Sequence, residues 1–115
     1  MTHDGPLRVL LVDDHAVVRA GYRLLLENNS DIVVIAELES GEEANQKVVE
    51  LNPDIIIMDL SMPGMGGLEA IKRIKAKVPS IKILVFTMHD NAVFVEHALN
   101  AGASGYITKS SAPNV

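Results

Sequence analysis

Five short apolar runs, separated by segments with helical periodicity, constrain the fold of this chain more than any other feature. The runs are rich in Val and Ile, mostly do not alternate with polar residues, and cover 7–12, 32–38, 55–58, 81–87 and 105–108. Such runs are typical of strands that are buried on both faces. Helical patterns fill the intervals, at 16–28, about 41–51, 67–77 and about 91–101. Because parallel strands need long connections, this alternation predicts an α/β fold, a doubly wound parallel sheet with right-handed crossovers and helices on both faces.

The spacing of apolar residues predicts which side of each helix faces the sheet. The inward positions expected from the helical period are Val18, Tyr22 and Leu25, then Leu68, Ile71 and Ile74, then Ala92, Val95, Ala98 and Leu99. On the fourth helix, Val93 and His97 should face solvent, with Phe94 on the flank. Cap and turn residues indicate that helices start at Ser40-Gly41 and Gly66-Gly67 and that helices stop at Asn52-Pro53, Val78-Pro79 and Gly102.

Length and composition indicate one domain and exclude several classes of function. With 115 residues, 48% of them hydrophobic, we expect residues 1–115 to form a single unit. A net charge of -5 argues against a nucleic-acid surface, which needs clustered positive charge. The absence of cysteine excludes disulfide scaffolds and thiol chemistry. No apolar run approaches the roughly 18 residues of a membrane span, so we expect a cytoplasmic protein without a membrane partner.

Residues suited to phosphate or metal chemistry stand at the carboxyl ends of four predicted strands. Strand one ends in Asp13 and Asp14, strand three in Asp59, strand four in Thr87 and strand five in Lys109. In open doubly wound sheets, ligands bind at this edge where the strand order reverses, and the flavodoxin-like order 2-1-3-4-5 brings strands one and three together there. The three carboxylates should therefore share one crevice, with Thr87 and Lys109 close by.

The chemistry of this crevice suggests a cation and a phosphoryl group. Neighbouring carboxylates repel one another, so a cation is expected. Oxygen ligands without Cys suit Mg²⁺, whereas His15 has no second His or Cys beside it, which disfavours zinc. A carboxylate such as Asp59 can attack phosphorus to give an aspartyl phosphate, with Lys109 neutralising the phosphoryl oxygens and Thr87 donating a hydrogen bond.

The segments VDDHAVVRAGYRLLL, MDLSMPGMGGLEAI and GASGYITK together resemble the receiver domain of bacterial two-component response regulators, especially the NarL/FixJ subfamily. The resemblance covers residues 7 to about 112. It implies a phosphorylation-dependent switch that is not an enzyme, with a sensor histidine kinase as donor and Asp59 as acceptor. Members of this subfamily usually continue into a LuxR-type helix-turn-helix domain that binds DNA in transcription regulation. DNA binding would then require a domain outside this chain.

The resemblance also implies a set of metal ligands. Asp14 and Asp59 would bind Mg²⁺ directly, together with the backbone carbonyl of Ser61. Asp13 would act largely through a bound water molecule.

The remaining matches imply phosphate contacts and a switch. Thr87 and Lys109 would contact the phosphate, and Tyr106 occupies the aromatic position whose ring turns inward when Thr87 moves. The alternative for Tyr106 is a half-buried strand aromatic with its hydroxyl in water. Two departures from the family pattern are Gly66, which gives the third helix a weaker cap than the frequent Asp, and Ser110. Because Ser110 replaces a frequent Pro, a cis bond after Lys109 is in doubt.

The fifth helix of the resemblance is missing or truncated, since the sequence stops at SSAPNV. Helices one and five would cover one face of the sheet, and helices two, three and four the other. We therefore expect apolar side chains on the first face to be exposed. The expected consequence is self-association, as a homodimer for example, through this face and the Tyr22 side of the first helix. The alternative is that a rearranged C-terminal tail covers this face.

Two alternative functions come from other classes of protein. Phosphatases of the haloacid dehalogenase type also use a nucleophilic Asp with Mg²⁺, Thr and Lys. Their general acid is an Asp two positions after the nucleophile, where this chain has Ser61. A receiver-like interaction module that is never phosphorylated is the other alternative, and the complete set of acidic, Thr and Lys residues argues against it.

Overall fold

An open five-stranded parallel sheet organises the chain. The computed structural model describes residues 5–59, 66–87 and 92–108, without the side chains of residues 66, 87, 92–95, 107 and 108. The elements are β1 (Leu7–Val12), α1 (Ala16–Glu27), β2 (Ile32–Leu38), α2 (Gly41–Leu51), β3 (Ile55–Asp59), α3 (Gly66–Lys77), β4 (Lys82–Thr87), α4 (Ala92–Ala101) and β5 (Gly105–Thr108). The strand order is β2-β1-β3-β4-β5. The predicted class and strand order are confirmed, and element bounds differ from the predicted ones by at most one residue.

The pairing of β1 with β3 brings their carboxyl ends level with each other. Val12 pairs with Met58, so the residues that follow them, Asp13 and Asp59, lie side by side. Asp59 itself pairs with Phe86 of β4, which puts the backbone of the next residue, Thr87, at the same edge. The strand order reverses between β1 and β3, and open α/β sheets bind ligands at such a point.

The sheet face covered by α2, α3 and α4 carries the larger hydrophobic core. Successive side chains of a strand point to opposite faces, so alternate residues of each strand contribute to it. Its members include Leu10, Val12, Ile56, Met58, Ile83 and Val85 from the strands, with Ala44, Val48, Ile71, Ile74 and Ala98 from the helices. Burying one large apolar side chain contributes roughly 1.5–3 kcal/mol. This core therefore stabilises the sheet that carries the carboxylates at its edge.

Helix α1 covers the opposite face with a smaller core. The strand residues Val9, Leu11, Val34 and Ile57 are buried there, and Tyr22 and Leu26 of α1 pack against them. Leu84 and Phe86, on the same face, are only partly buried. The described helices are thus divided between the faces as predicted, with helix one on one side and helices two, three and four on the other.

The ends of α2 and α4 show why these residues stop and start helices. Ser40 caps α2, because its hydroxyl accepts a hydrogen bond from the backbone N–H of Glu43 at 3.2 Å. Asn52 ends α2 in a left-handed conformation with φ of 49°, and Gly102 follows α4 with φ of 119°. The N–H of Ala103 donates to the carbonyl of Ala98 at 3.0 Å, as in a Schellman motif. None of the described helices has the length and apolar composition needed to cross a membrane.

Two predicted inward positions are wrong. Leu25 is 74% exposed, and Leu26 packs against the sheet in its place. From Tyr22, a step of four residues stays closer to the same face than a step of three, so the stripe continues to Leu26. Leu99 is 48% exposed, because the smaller side chains of Ala98 and Ala101 face the core. The predicted orientations at positions 92–95 lie outside the described side chains.

Candidate functional site

Asp13, Asp14 and Asp59 meet at the carboxyl edge of β1 and β3, as the strand order predicts. Asp13 is 4% exposed and Asp59 is 2% exposed, while Asp14 is partly buried. One ligand atom from each of these residues and from His15 lies within 4.8 Å of the others. A buried carboxylate is costly unless a cation or hydrogen-bond donors compensate its charge. The cluster is therefore arranged to receive positive charge.

Backbone hydrogen bonds fix Asp13 in the turn between β1 and α1. Its N–H donates to the carbonyl of Leu38 at 3.0 Å, and its Oδ1 accepts from the backbone N–H of His15 at 2.8 Å. This second bond spans two residues, as in an Asx turn. The turn thereby fixes where the Asp14 side chain begins.

His15 stands at the entrance to the acidic cluster. Its Nδ1 lies 3.2 Å from Oδ1 of Asp13 and 3.1 Å from Oδ1 of Asp14, and its side chain is largely exposed. It occupies the N-cap position of α1 without making a side-chain cap bond. Among the described residues the possible metal ligands are therefore three carboxylates and one imidazole, a set in which oxygen predominates. Oxygen donors suit Mg²⁺, so the site fits the expected ion.

Arg19 contacts the cluster and Glu37 pairs with Arg19, although the sequence pattern predicted a role for neither residue. Nη1 of Arg19 donates to the backbone carbonyl of Asp13 at 2.5 Å, and its Nε donates to Oε1 of Glu37 at 3.3 Å. The arginine lies on the inward-facing side of α1, three residues before Tyr22. A charged residue in that position is the one sequence feature that indicates a buried polar contact.

A network of ion pairs continues from Glu37 along α1. Nη1 of Arg23 donates to Oε2 of Glu37 at 2.8 Å, and its Nε donates to Oε1 of Glu27 at 3.3 Å. The hydrogen bond from Arg23 holds the pKa of Glu37 below its ordinary value, with Arg19 adding to the effect. The backbone N–H of Val34 donates to Glu27 at 3.0 Å and is the main reason that the pKa of Glu27 is lowered. The pKa of Arg23 is raised, chiefly by its bond to Glu37.

A small cavity lies beneath the carboxylates on the α1 side of the sheet. Its volume is about 10 Å³, close to the size that holds one water molecule. The lining residues include Asp13, Asp59, Arg19, Tyr22 and Phe86. The rings of Tyr22 and Phe86 stack with centroids 5.0 Å apart, which closes this side of the site with apolar surface.

The other predicted site residues are only partly within the described structure. The backbone of Thr87 ends β4 and pairs with Thr108 of β5, but its side chain lies outside the described residues, as do Ser61 and Lys109. Tyr106 is half-buried on β5, pairs with Val85, and packs against the larger core. The structure thus brings together the three predicted carboxylates and puts the end of β4 beside them, with β5 as the next strand of the sheet.

Comparison with known proteins identifies one family. The family model for the response regulator receiver domain matches residues 9–115. The oxygen regulatory protein NreC of Staphylococcus epidermidis is 45% identical over 106 residues, which cover 91% of this chain and 49% of NreC. NreC of Staphylococcus haemolyticus is also 45% identical over 106 residues. This chain spans about half the length of the curated relatives that it matches.

Solved structures with the same fold include close relatives in sequence. A two-component response regulator of the LuxR family from Aurantimonas sp. superposes with a TM-score of 0.91 and 47% identity, over 95% of this chain and 78% of the other. The isolated receiver domain of RcsB from Salmonella enterica, determined with the phosphomimetic BeF₃⁻, gives a TM-score of 0.86 and 33% identity, over 95% of this chain and 81% of the other.

Proposed function

Because the chain belongs to the response regulator receiver domain family, we propose that it is a phosphorylation switch whose phosphoryl acceptor is Asp59. The proposed donor is a sensor histidine kinase, the proposed compartment is the cytoplasm, and residues 1–115 are the proposed receiver unit. The observation that carries the proposal is the convergence of Asp13, Asp14 and Asp59 at one sheet edge, where their ligand atoms and that of His15 lie within 4.8 Å of one another.

Asp59 is the proposed nucleophile because a carboxylate can attack phosphorus without a general base. One of its oxygens forms a bond to phosphorus while the bond from phosphorus to the donor's histidine nitrogen breaks, and the electron pair of that bond leaves with the imidazole. The product is an aspartyl phosphate at the end of β3. Its position, 2% exposed in the unmodified chain, limits the approach of bulk water.

The acidic cluster is proposed to hold one Mg²⁺ ion. Asp14, Asp59 and the backbone carbonyl of Ser61 would be direct ligands, and Asp13 would act through a water molecule. When bound, Mg²⁺ supplies positive charge that stabilises the phosphoryl oxygens. The bond from the backbone of His15 to Asp13 supports this division, because it engages one oxygen of Asp13 within the protein.

Thr87 and Lys109 are the proposed phosphate-contacting residues, and Tyr106 is the proposed switch. Support for Thr87 comes from its position at the end of β4, one residue beyond the partner of Asp59. Tyr106 lies on the neighbouring strand and is half-buried against the larger core, so inward rotation of its ring would bury more of it. We propose that Tyr106 and α4 together form the output face, and that this face changes shape when Asp59 is phosphorylated.

The relatives are about twice as long as this chain, which supports a proposal about the full-length protein. We propose that it also contains a DNA-binding domain, as expected for a regulator of the LuxR type. The net charge of -5 on the present 115 residues fits a signalling unit better than a DNA-contacting one. Phosphorylation of Asp59 would then control transcription through that second domain.

The proposal is tested by incubating the chain with Mg²⁺ and acetyl phosphate and measuring its intact mass. We expect a mass increase of one phosphoryl group, which Asp59→Asn abolishes because an amide is not a nucleophile of this kind. Asp31→Asn is the matched control, since Asp31 is an exposed residue in the turn before β2, and it should be labelled like the wild type.

Each other outcome contradicts the proposal in a different way. Labelling of Asp59→Asn to the wild-type extent would assign the acceptor to another residue. Rapid consumption of acetyl phosphate without an adduct would indicate a phosphatase. No adduct and no consumption would indicate an interaction module.

A further inference from the structure

Arg19 contacts the acidic cluster through a hydrogen bond to the backbone of Asp13. Its side chain is 12% exposed, and Nη1 donates at 2.5 Å to the carbonyl oxygen of Asp13. That carbonyl belongs to the peptide group that joins Asp13 to Asp14. A hydrogen bond to this oxygen therefore fixes the plane from which the Asp14 side chain projects.

We propose that Arg19 is a positioning residue that orients the Asp13–Asp14 peptide and thereby sets the affinity of the site for Mg²⁺. This inference rests on the proposed function, because it concerns the same metal site. Removing a group that hydrogen-bonds to a metal ligand typically lowers the affinity for the metal by about 10- to 100-fold. Arg19 makes such a bond to the backbone between two proposed ligands.

The contacts of Asp13 show what Arg19 adds. The N–H of Asp13 is held by the carbonyl of Leu38, and its Oδ1 is held by the backbone N–H of His15. The sheet and the helix start thus fix two sides of this residue. The carbonyl points toward α1, where the guanidinium of Arg19 is its partner.

Glu37 keeps the Arg19 guanidinium in place and offsets its charge. Oε1 of Glu37 accepts from Nε of Arg19 at 3.3 Å, and Oε2 accepts from Arg23 at 2.8 Å. An unpaired arginine beside a cation site would repel the metal. Because the guanidinium is paired with a carboxylate on β2, its effect on the metal is mainly geometric.

A positioning role and a simple charge effect predict different changes in the Mg²⁺ affinity when Arg19 is replaced. Arg19→Gln removes a positive charge near the site, so Coulomb attraction alone predicts equal or tighter Mg²⁺ binding. A positioning role predicts weaker binding, because the Asp13–Asp14 peptide is no longer held. Arg23→Gln is the matched control, because it removes the same charge from the same helix. Arg23 also contacts Glu37, but its bonds are to Glu27 and Glu37 and not to the carbonyl of Asp13.

The test is calorimetric titration of the chain with MgCl₂. We expect the dissociation constant of Arg19→Gln to rise about tenfold, while Arg23→Gln stays close to the wild type. Arg19→Lys keeps the charge and a donor nitrogen but lacks the planar guanidinium. Its dissociation constant for Mg²⁺ should therefore lie between those of the wild type and Arg19→Gln. If Arg19 had only a structural role, Arg19→Gln would lower the melting temperature but would leave the Mg²⁺ dissociation constant of the folded protein unchanged.

Equal constants for Arg19→Gln and Arg23→Gln, or tighter binding by Arg19→Gln, would overturn the inference. If Arg19→Gln does not fold, Arg19→Lys is compared with Arg23→Lys: weaker binding by Arg19→Lys supports the inference and equal binding overturns it. Failure of the wild-type chain to bind Mg²⁺ would refute the proposed metal site itself, and this inference with it. The wild-type titration therefore distinguishes the two failures.

Discussion

Among the described residues, Asp13 and Asp59 are the charged side chains that the fold buries. Both could be located from the sequence, because each directly follows an apolar strand that ends at a predictable edge of the sheet. Arg19 and Glu37 could not be located in this way, because Arg19 lies within α1 and Glu37 within β2, and neither directly follows an apolar strand. Their contact depends on how α1 is rotated against β2, and local periodicity does not determine that rotation.

At the residue scale, Glu37 should make the stability of the chain sensitive to acid. Its folded-state pKa is lowered, mainly by Arg23, so its stabilising contribution is present above the ordinary pKa of about 4.3 and is lost as the pH falls through the lowered value. Glu37→Gln should reduce the free energy of unfolding at neutral pH and flatten its decrease toward a pH below about 4. Urea denaturation across this range measures both effects.

The control for Glu37 is the same substitution at an exposed position. Glu50→Gln, on α2, should leave the acid dependence as it is in the wild type. An acid dependence that is unchanged in Glu37→Gln would show that the ion-pair network does not contribute to stability.

At the scale of elements, the apolar runs and the cap residues predicted the strands and helices to within one residue. The strands were predictable because a strand buried on both faces supplies apolar side chains to both cores and therefore has a continuous apolar sequence. The rotation of the helices was less predictable. Leu25 and Leu99 each have an apolar neighbour that faces the core, and packing against the sheet decided which of the two is buried.

Substitution of two adjacent leucines on α1 tests this helix rotation. Leu26 packs against the smaller core whereas Leu25 is 74% exposed. Leu26→Ala should lower the free energy of unfolding by about 2 kcal/mol, at the lower end of the range for a buried leucine because Leu26 is partly exposed. Leu25→Ala should change it by less than about 0.5 kcal/mol. Equal effects of the two variants in urea denaturation would contradict the observed orientation of α1.

At the scale of the whole molecule, the two sheet faces are covered unequally by the described helices. Three helices pack on one face, while α1 alone packs on the other, where Leu84 and Phe86 remain partly exposed. Helix α1 also presents Val17, Leu24 and Leu25 to solvent. Exposed apolar surface commonly marks an interface between proteins when it forms a large patch. Self-association through this side is therefore our prediction for the chain in solution.

Sedimentation velocity at micromolar concentration tests the predicted self-association. We expect the wild type to form a dimer and Leu25→Glu to be monomeric, because Leu25 lies on the Tyr22 side of α1 and a charge in the interface would lose its water on association. Val49→Glu is the control, since Val49 is a similarly exposed apolar residue on α2, at 64% compared with 74% for Leu25. A monomeric wild type, or equal dissociation of both variants, would contradict the prediction.

The central claim, that Asp59 carries the phosphoryl group, is tested most directly by locating the modified residue. Borohydride reduces an aspartyl phosphate to homoserine, and tandem mass spectrometry of the digested chain then identifies the position. After incubation with Mg²⁺ and acetyl phosphate, we expect homoserine at position 59 and unmodified aspartate at positions 13 and 14. Homoserine at position 13 or 14, or at no position in a chain that is folded and binds Mg²⁺, would contradict the claim.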